Sequence, residues 1–524
     1  MRLAERPAFR ETTVASRFTL LSVAAAAWAA LTLVVATGSG MGLQEDSAHY
    51  IGAARNLIAG HGLTLPFGSL KPGLLTQYAP FYAVLLAAHK LTGLSMLGFA
   101  RVTNVIFAVA TVLLVIRLSR AIAADSLGVA ALAAVLVVSS TRMIAVGAMV
   151  MSEPATICLG TLGLYLLVRC LGQRDRASLT TLLVAAGFAG LAALTRYVGV
   201  AYGLAGLVVL LGAMRRGRLG GRVVALYGLV SLGPLACFLG YSFLRTDTPT
   251  NRPLGWHPPR ASDLRALVDT VGSWFTSNAG ARATAVGLVA IGLTFVAVAR
   301  LRATHPQDQG PTHDVASILS TFAVVYALVV LAAITFVDAS IPGDAPRLLL
   351  PVLPVLAVLL AAGLRDAVKG ARISTLARAT LPVVVTLVVV LPLAISSTRW
   401  VKHARVNGVA VTMRDGRRMP LLAELRRTPR DFTIYSNDAP MLYLLSDRQV
   451  IDAPSDMNAY TRRPARGFPQ ELARMDRELR AGKAELVYFD NRFSPSRARL
   501  LQLIDLAPVY RSGSATIFVS ARRS

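Results

Sequence analysis

The sequence predicts an all-α polytopic membrane domain of about eleven transmembrane helices, followed by a small C-terminal α/β soluble domain. Three observations carry this. Of the 524 residues, 54% are hydrophobic and 16% charged, against roughly 25% charged in a soluble domain. Apolar runs near the ~20-residue length needed to span a bilayer recur along the first three quarters of the chain. After Ser397 these runs stop and the sequence becomes polar and Arg-rich.

Taken in order, Arg2, Arg6, Arg10 and Arg17 precede the apolar run 18–36. The pattern is that of a signal peptide, but the run is long enough to span and many spans follow. It reads as an uncleaved signal anchor, with residues 1–17 cytoplasmic. Spans are expected near 18–38, 98–118, 127–146, 152–168, 179–195, 197–214, 223–244, 283–301, 315–337, 347–364 and 376–396. The basic groups Arg117/Arg120, Arg169/Arg174/Arg176, Arg215/Arg216/Arg218/Arg222, Arg300/Arg302 and Arg365/Lys369/Arg372/Arg378 then all fall on the cytoplasmic side. The shorter stretch 76–91, with Pro80 and His89, must start and finish outside, as a re-entrant or interfacial helix. If it crossed, the later arginine-rich loops would be inverted.

The membrane domain thus covers 18–398, with a long outer loop at 39–97. Residues 399–524 form an extracytoplasmic domain. Within it, β-like runs at 432–435, 449–451, 486–489 and 516–519 alternate with helical patterns at 468–481 and 495–505. It has no GxGxxG after a strand and no phosphate-binding loop of the Walker type.

The formal net charge is +26. In a membrane chain this reads as loops facing anionic lipid, not as a nucleic-acid surface; basic residues interleaved with aromatics are lacking. Cys158, Cys170 and Cys237 lie in or beside apolar runs and form neither a disulfide framework nor a metal motif.

The chemistry-bearing residues gather on the outer face of this topology. Glu45 and Asp46 open the first outer loop, Glu153 begins a span, Arg196 sits in a tight turn, and Arg347 follows Asp344-Ala345-Pro346. Lys71 and His61 lie in the first loop, and His257 lies among prolines in the loop 245–282. A carboxylate near hydrocarbon marks a candidate site. It can take a proton from an acceptor hydroxyl or amine, while an Arg fork can hold a phosphate and offset charge on a leaving phosphate. Each residue also has a plainer role open to it. Asp46 can start a solvated loop, Glu153 can satisfy a helix dipole, Arg196 and Arg347 can snorkel, and His257 can stiffen its loop.

The stretch Asp46-Ser47-Ala48-His49-Tyr50, then Ala54-Arg55-Asn56-Leu57 and Gly60-His61-Gly62, resembles the first outer loop of GT-C-fold glycosyltransferases of the protein O-mannosyltransferase and lipid A aminoarabinose transferase group. Ser47 stands where that group usually has Glu, and Glu45 precedes the Asp instead. Lys71-Pro72-Gly73-Leu74, Tyr78-Ala79-Pro80-Phe81-Tyr82, Met151-Ser152-Glu153-Pro154, Ala193-Leu194-Thr195-Arg196-Tyr197 and Arg347-Leu348-Leu349-Leu350-Pro351 are similar to further motifs of the group. The resemblance implies a GT-C-like domain that transfers a sugar from a polyprenyl-phosphate donor to an extracytoplasmic acceptor (protein, lipid or cell-envelope glycan) at a cell inner membrane. Asp46 would be the base and Glu153 would orient the acceptor or a cation. Arg347, Arg196 and Lys71 would hold the donor phosphate. Glu45, Tyr50, His61, Tyr82 and His257 would contact substrate. No metal ligand set is assigned and no cofactor is certain, although a divalent cation is allowed. The competing reading is a lipid or polysaccharide transporter or flippase. That class places its ionisable groups near the bilayer midplane and shows inverted repeats, whereas here they sit at span ends. An assembly protein whose C-terminal domain binds a partner leaves Asp46, Glu153 and Arg347 without a role.

Overall fold

The structure is a computed structural model of the full chain. It describes residues 7–69, 73–124, 126–172, 178–252, 254–276, 280–304, 311–338, 340–370, 380, 384, 386–413, 419–458, 463–465, 467–490, 500, 502–513 and 515–521. Among them, eight helical spans are long and apolar enough to cross a membrane. The protein is a multi-pass membrane protein with a small C-terminal sheet domain.

The chain opens with α1 (Pro7–Ala36), then β1 (Gly42–Leu43) and α2 (Glu45–Ile58). A hairpin of two short strands, β2 (Thr64–Leu65) and β3 (Gly73–Leu74), leads to α3 (Phe81–Ala87), which starts directly after Pro80. The described residues of the predicted outer loop 39–97 therefore form a layer that carries two helices. The long helix α4 (Met96–Ile122) follows, its first turn capped by the Ser95 side chain accepting from the Gly98 N–H at 3.1 Å.

The expected continuous span 127–146 needs correction. It is two helices, α5 (Leu127–Val138) and α6 (Thr141–Gly147), bent by 55°. Ser139 and Ser140 interrupt the apolar run, and the Ser140 side chain caps the new helix at Met143, so the hydroxyl offers the backbone an alternative to continuing the ladder.

The bundle continues with α7 (Glu153–Gly172), α8 (Leu179–Thr195), α9 (Val200–Arg215) and α10 (Gly221–Thr246). An amphipathic helix α11 (Ala261–Ser273) precedes α12 (Ala281–Thr304) and α13 (Pro311–Phe336). Next come the short α14 (Ile341–Leu348) and α15 (Leu353–Gly370), joined by one 3-10 turn. The first half of the expected span 376–396 lies largely outside the described residues. A π turn (Thr386–Val390) then runs into α16 (Leu391–Asn407). α8, at 17 residues, is apolar but shorter than the other spans.

Burial separates the spans by position. The most apolar windows of Ala15–Ala36 and Gly221–Thr246 are each only 22% buried within the protein, whereas that of Ile341–Lys369 is 83% buried. Helices apolar all round can face lipid at no cost. The span that begins with Arg347's helix is instead enclosed by its neighbours, so its polar entrance is held in a fixed place.

The C-terminal domain is built on a five-stranded sheet of order β10-β11-β9-β5-β6. Its strands are β5 (Thr433–Ser436), β6 (Val450–Asp452), β9 (Ala484–Phe489), β10 (Leu506–Ser512) and β11 (Ala515–Ser520), while β7 (Met457–Asn458) and β8 (Arg463–Pro464) form a separate antiparallel pair. β5 runs parallel to β6 and β9, and the β9–β11 and β11–β10 pairs are antiparallel. The parallel pairs require crossovers, supplied by α18 (Ala439–Ser446) and α19 (Phe468–Arg480), which follow the short α17 (Pro420–Leu425). The expected strands and the helix at 468–481 stand within a few residues of these. β10 and α18 are additions to the sequence-based expectation, and most of 495–505 lies outside the described residues.

This domain is stitched to the outer layer. β1 pairs antiparallel with β4 (Val411–Thr412), Gly42 opposite Thr412. Gly68 exchanges backbone hydrogen bonds with Val450 and Asp452 at 2.8 and 3.2 Å. Arg55 meets Asp447 at 2.8 Å, and the Phe67 and Tyr443 rings lie 5.2 Å apart.

Candidate active site

The site begins at the entry to α2. Gln44 is extended at the helix N-cap, and Glu45 and Asp46 occupy the first turn, where the exposed N–H ends favour negative charge. The Ser47 hydroxyl accepts from the Gln44 N–H at 3.0 Å, closing the turn. A hydroxyl at this third position completes a cap that the more usual Glu would make with a longer side chain.

Asp46 is buried, 8% exposed, and both oxygens are engaged. Tyr78 donates its hydroxyl to Oδ1 at 2.9 Å, and Arg347 Nη1 lies 3.1 Å from Oδ2. Burial opposes ionisation of Asp46. The positive fields of Arg347 and then Arg196, the Tyr78 hydrogen bond and His49 outweigh it and hold the carboxyl below its ordinary value. His49 accompanies it: burial pushes this imidazole below its usual value, and its Nδ1 lies 2.9 Å from the Glu45 carbonyl.

Arg347 is the hub. Besides Asp46, its Nη2 donates to Asp344 at 3.0 Å, and Nη1 lies 3.9 Å from Glu153 Oε1. Asp344 and Arg347 are one turn apart on α14, so the short helix pre-orients the guanidinium. Glu153, the first residue of α7, is 1% exposed and meets Arg196 Nη1 at 2.9 Å. Arg196 also donates to Ser152 Oγ at 3.2 Å, and Ser152 accepts from the Tyr50 hydroxyl at 2.9 Å. Tyr50 is itself packed edge-to-face on Tyr82, with ring centroids 4.9 Å apart. A buried carboxylate needs a paired charge; here the buried Asp46 and Glu153, with the exposed Asp344, meet the guanidinium groups of Arg196 and Arg347.

Glu45 stands at the rim. It keeps solvent access, yet the protein wall around it, then Asp46, and then Asp438, Asp452 and Asp344, push its carboxyl up to about 7. Asp452 is likewise raised to about 7, first by desolvation and then by Asp438 and Glu471. Two of these acidic neighbours come from the C-terminal domain, which therefore forms part of the rim.

Of the residues singled out in the sequence, Asp46, Glu153, Arg196, Arg347, Tyr50 and Tyr82 converge, with Glu45 beside them. Lys71 lies outside the described residues. His61 is exposed at the turn after α2, with its N–H on the Asn56 carbonyl. His257 has its backbone pinned to Thr335 at 2.8 Å. Among the described residues, no hydrogen bond or ion pair joins either histidine to the cluster. Gln44, Tyr78 and Ser152 join the site without having been given a role from the sequence; Gln44 and Ser152 adjoin residues that were, and Tyr78 opens the motif that ends at Tyr82. Asp438 and Asp452 carry no sequence signal. Among the described residues no three His, Cys, Asp or Glu side chains form a metal-ligand group. The carboxylates here face guanidinium groups.

The whole architecture has solved counterparts. ArnT from Cupriavidus metallidurans bound to undecaprenyl phosphate is 14% identical, with 97% of this chain and 99% of that one covered and a TM-score of 0.59. Its apo state gives 15% identity, 96% and 98% coverage, and a TM-score of 0.62. The chain has the GT-C glycosyltransferase fold. This GT-C chain is similar, too, to the oligosaccharyltransferase AglB from Archaeoglobus fulgidus, in complex with an inhibitory peptide and a dolichol-phosphate (13% identity, 89% and 69% covered, TM-score 0.55). Arabinofuranosyltransferase AftD from Mycobacteria is a larger GT-C counterpart (15% identity, 95% and 40% covered, TM-score 0.53). The family model of dolichyl-phosphate-mannose-protein mannosyltransferase matches residues 72–224, the stretch that holds Tyr78, Glu153 and Arg196. No curated protein matches the chain in sequence.

Proposed function

We propose that the protein is an integral membrane glycosyltransferase that moves a sugar from a polyprenyl-phosphate donor to an extracytoplasmic acceptor, with Asp46 as the general base. The observation that carries this reading is the pairing of Asp46 with Arg347 at 3.1 Å. A carboxylate that can serve as base and a guanidinium that can bind phosphate stand side by side, the two kinds of group that transfer from a lipid phosphate uses. The ligands of two structural counterparts, undecaprenyl phosphate and dolichol-phosphate, support a lipid-linked donor.

The chemistry follows from the charges. With Arg347 against it, Asp46 is a weak base, because the guanidinium stabilises the carboxylate. An arriving donor phosphate competes for the Arg347 fork, a planar group suited to bidentate phosphate binding. As Arg347 turns to the phosphate, Asp46 loses its counter-charge and gains basicity. It then takes the proton of the acceptor as that oxygen or nitrogen attacks the anomeric carbon. The bond to the phosphate oxygen breaks, and Arg347 offsets the charge left on the leaving polyprenyl phosphate. Glu153 holds Arg196 in place beneath this pair, and Lys71 is assigned to the same phosphate. The C-terminal domain, facing away from the cytoplasm, supplies the rim near Glu45 and helps admit the acceptor.

Sugar transfer from a radiolabelled polyprenyl-phosphate hexose or pentose by the purified protein in nanodiscs tests the reading. A library of such donors with no transfer in the presence of membrane extract would overturn it. A flippase is the second class; it would translocate the lipid-linked sugar without forming a new glycosidic bond.

A further inference from the structure

Three aromatic rings join the turns that carry Arg196 and Arg347 through the interior of the bundle. Tyr202, in the first turn of α9, stacks on Phe322 of α13, with ring centroids 4.4 Å apart and planes 22° from parallel. Phe322 packs in turn on Tyr326, one turn further along α13, at 5.6 Å. None of the three residues is more than 1% exposed. Tyr202 reaches this column because Gly160 of α7 leaves it room: a Cβ at Gly160 would stand 2.2 Å from the Tyr202 ring. One end of the column therefore rests against α7, whose first residue is Glu153.

The other end holds the turn behind Arg347. α14 stops at Leu348 and gives way to the 3-10 turn Leu350–Val352. Pro351 has no N–H to offer the Arg347 carbonyl. Val352, which in a continuing α-helix would close on Leu348, donates to Leu349 at 3.0 Å instead. The Tyr326 hydroxyl donates to the Leu348 carbonyl. A buried carbonyl without a partner is costly, so this hydroxyl stabilises the break in the span. The stacked rings leave it little freedom, and the residue it grips adjoins Arg347.

We propose that Tyr326 is a positioning residue: through the Leu348 carbonyl it sets how closely the Arg347 guanidinium approaches Asp46. The inference rests on the proposed role of the Asp46–Arg347 pair, but the geometry it concerns exists with or without transfer. The 3.1 Å approach of Arg347 to Asp46 depends on where the backbone of α14 ends as well as on the Arg347 rotamer. Without the Tyr326 hydroxyl, the Leu348 carbonyl must find another donor, and the movement turns Arg347 with it. Asp46 then loses part of the field that favours its charged form. The other groups facing Asp46 are Arg196, Tyr78, His49, Glu45 and Tyr50, all on elements other than α14.

Infrared titration of the substrate-free protein in nanodiscs tests it, with the Asp46 carboxylate band assigned by subtracting the Asp46→Asn spectrum. Tyr326→Phe keeps the ring and the column but lacks the hydroxyl. Its Asp46 midpoint should rise by about half a pH unit or more, a part of the roughly 1–3 that a facing Arg supplies. In an Arg347→Gln background, where the midpoint is already raised, Tyr326→Phe should add nothing. Tyr227→Phe removes a hydroxyl from another buried tyrosine, on α10, and should leave the midpoint in place. Phe322→Leu loosens the stack and should raise it. Under the transfer reading, Tyr326→Phe also lowers kcat/KM by about ten-fold and moves its acid limb to higher pH. An unmoved midpoint in Tyr326→Phe, or an equal rise in the Arg347→Gln background or in Tyr227→Phe, overturns the proposal. If Tyr326→Phe fails to insert, Phe322→Leu decides, and an unmoved midpoint there overturns it. A raised midpoint in a protein that transfers no sugar upholds the positioning and rejects the transfer reading alone.

Discussion

Arg347 Nη1 stands 3.1 Å from Asp46 Oδ2 across 301 residues of chain. One residue opens the first outer helix and the other begins the most enclosed span. Their contact fixes where the membrane bundle meets the outer layer, and it sets the resting charge of the proposed base.

Removing that base should remove transfer while leaving the fold. Asp46→Asn keeps the shape and the Tyr78 contact but cannot take a proton. Initial rates with a lipid-linked donor should fall by about 10²–10⁴-fold, the usual worth of a general base. Wild-type rates in the Asp46→Asn variant at equal expression would sink the assignment.

If the donor phosphate draws Arg347 away from Asp46, the two pH profiles must differ. The Asp46 carboxyl lies below its ordinary value in the free enzyme, so kcat/KM should hold to low pH. In the donor complex the counter-charge is diverted, and the acid limb of kcat should lie at higher pH. Profiles of both parameters from mildly acidic to mildly basic pH decide this; coincident acid limbs contradict the exchange.

Glu153 and Arg196 form the buried pair beneath. Glu153→Gln leaves the guanidinium groups short of a counter-charge and should cost about 3 kcal/mol of stability. Arg196→Met should cost a similar amount. The double variant should cost less than the sum by over ~1 kcal/mol, because the two changes remove one shared interaction. Unfolding in mixed micelles measures the cycle, and strict additivity would show that the pair is not coupled.

Glu45 and Asp452 give the outer layer a pH dependence. Both carboxyls are raised to about 7, from 4.5 and 3.8. Between the ordinary and raised values the folded protein holds protons that the unfolded chain releases. The stability they contribute is therefore full below about 4 and is lost as pH climbs through about 7. Melting temperature should fall from about pH 4 to about pH 7 and level off above that, and Glu45→Gln/Asp452→Asn should flatten that drop. A slope unchanged by the two amides argues against these groups.

Gly42 tests the seam between the two domains. A Cβ there would sit 2.3 Å from the Val409 carbonyl oxygen and 2.7 Å from Met149 Cγ, so Gly42→Ala must displace the strand. A loss of about 1–3 kcal/mol is expected, with kcat falling more than KM rises because Asp46 lies four residues on. Asp447→Asn removes the charge of the exposed Arg55 pair, keeps a side chain that tolerates the left-handed backbone at this position, and should cost under ~1 kcal/mol. Equal melting losses in the two variants would show that the seam does not position the site.

The bundle is legible in the sequence because lipid imposes one requirement, about 20 apolar residues per crossing, which needs no knowledge of neighbours. The break at Ser139-Ser140 is not, because two serines lower hydropathy too little to interrupt the run. Asp46, Glu153, Arg196 and Arg347 can be named because charge at the end of an apolar run is costly and needs a reason. Their pairing cannot be read, since which guanidinium meets which carboxylate depends on helix rotations that no local pattern records. The acidic rim is wholly hidden: Asp438 and Asp452 look like ordinary surface residues until β5, α18 and β6 bring them against the outer layer.

The pairing of β1 with β4 has a consequence in time. Gly42 lies in the first tenth of the chain, and its partner Thr412 lies beyond the bundle. A ribosome must therefore make the helices and begin the last domain before the backbone leading into Asp46 has its complete set of hydrogen bonds. The half-made chain holds Asp46 on an unfinished support, and the candidate site comes into order only as synthesis nears its close.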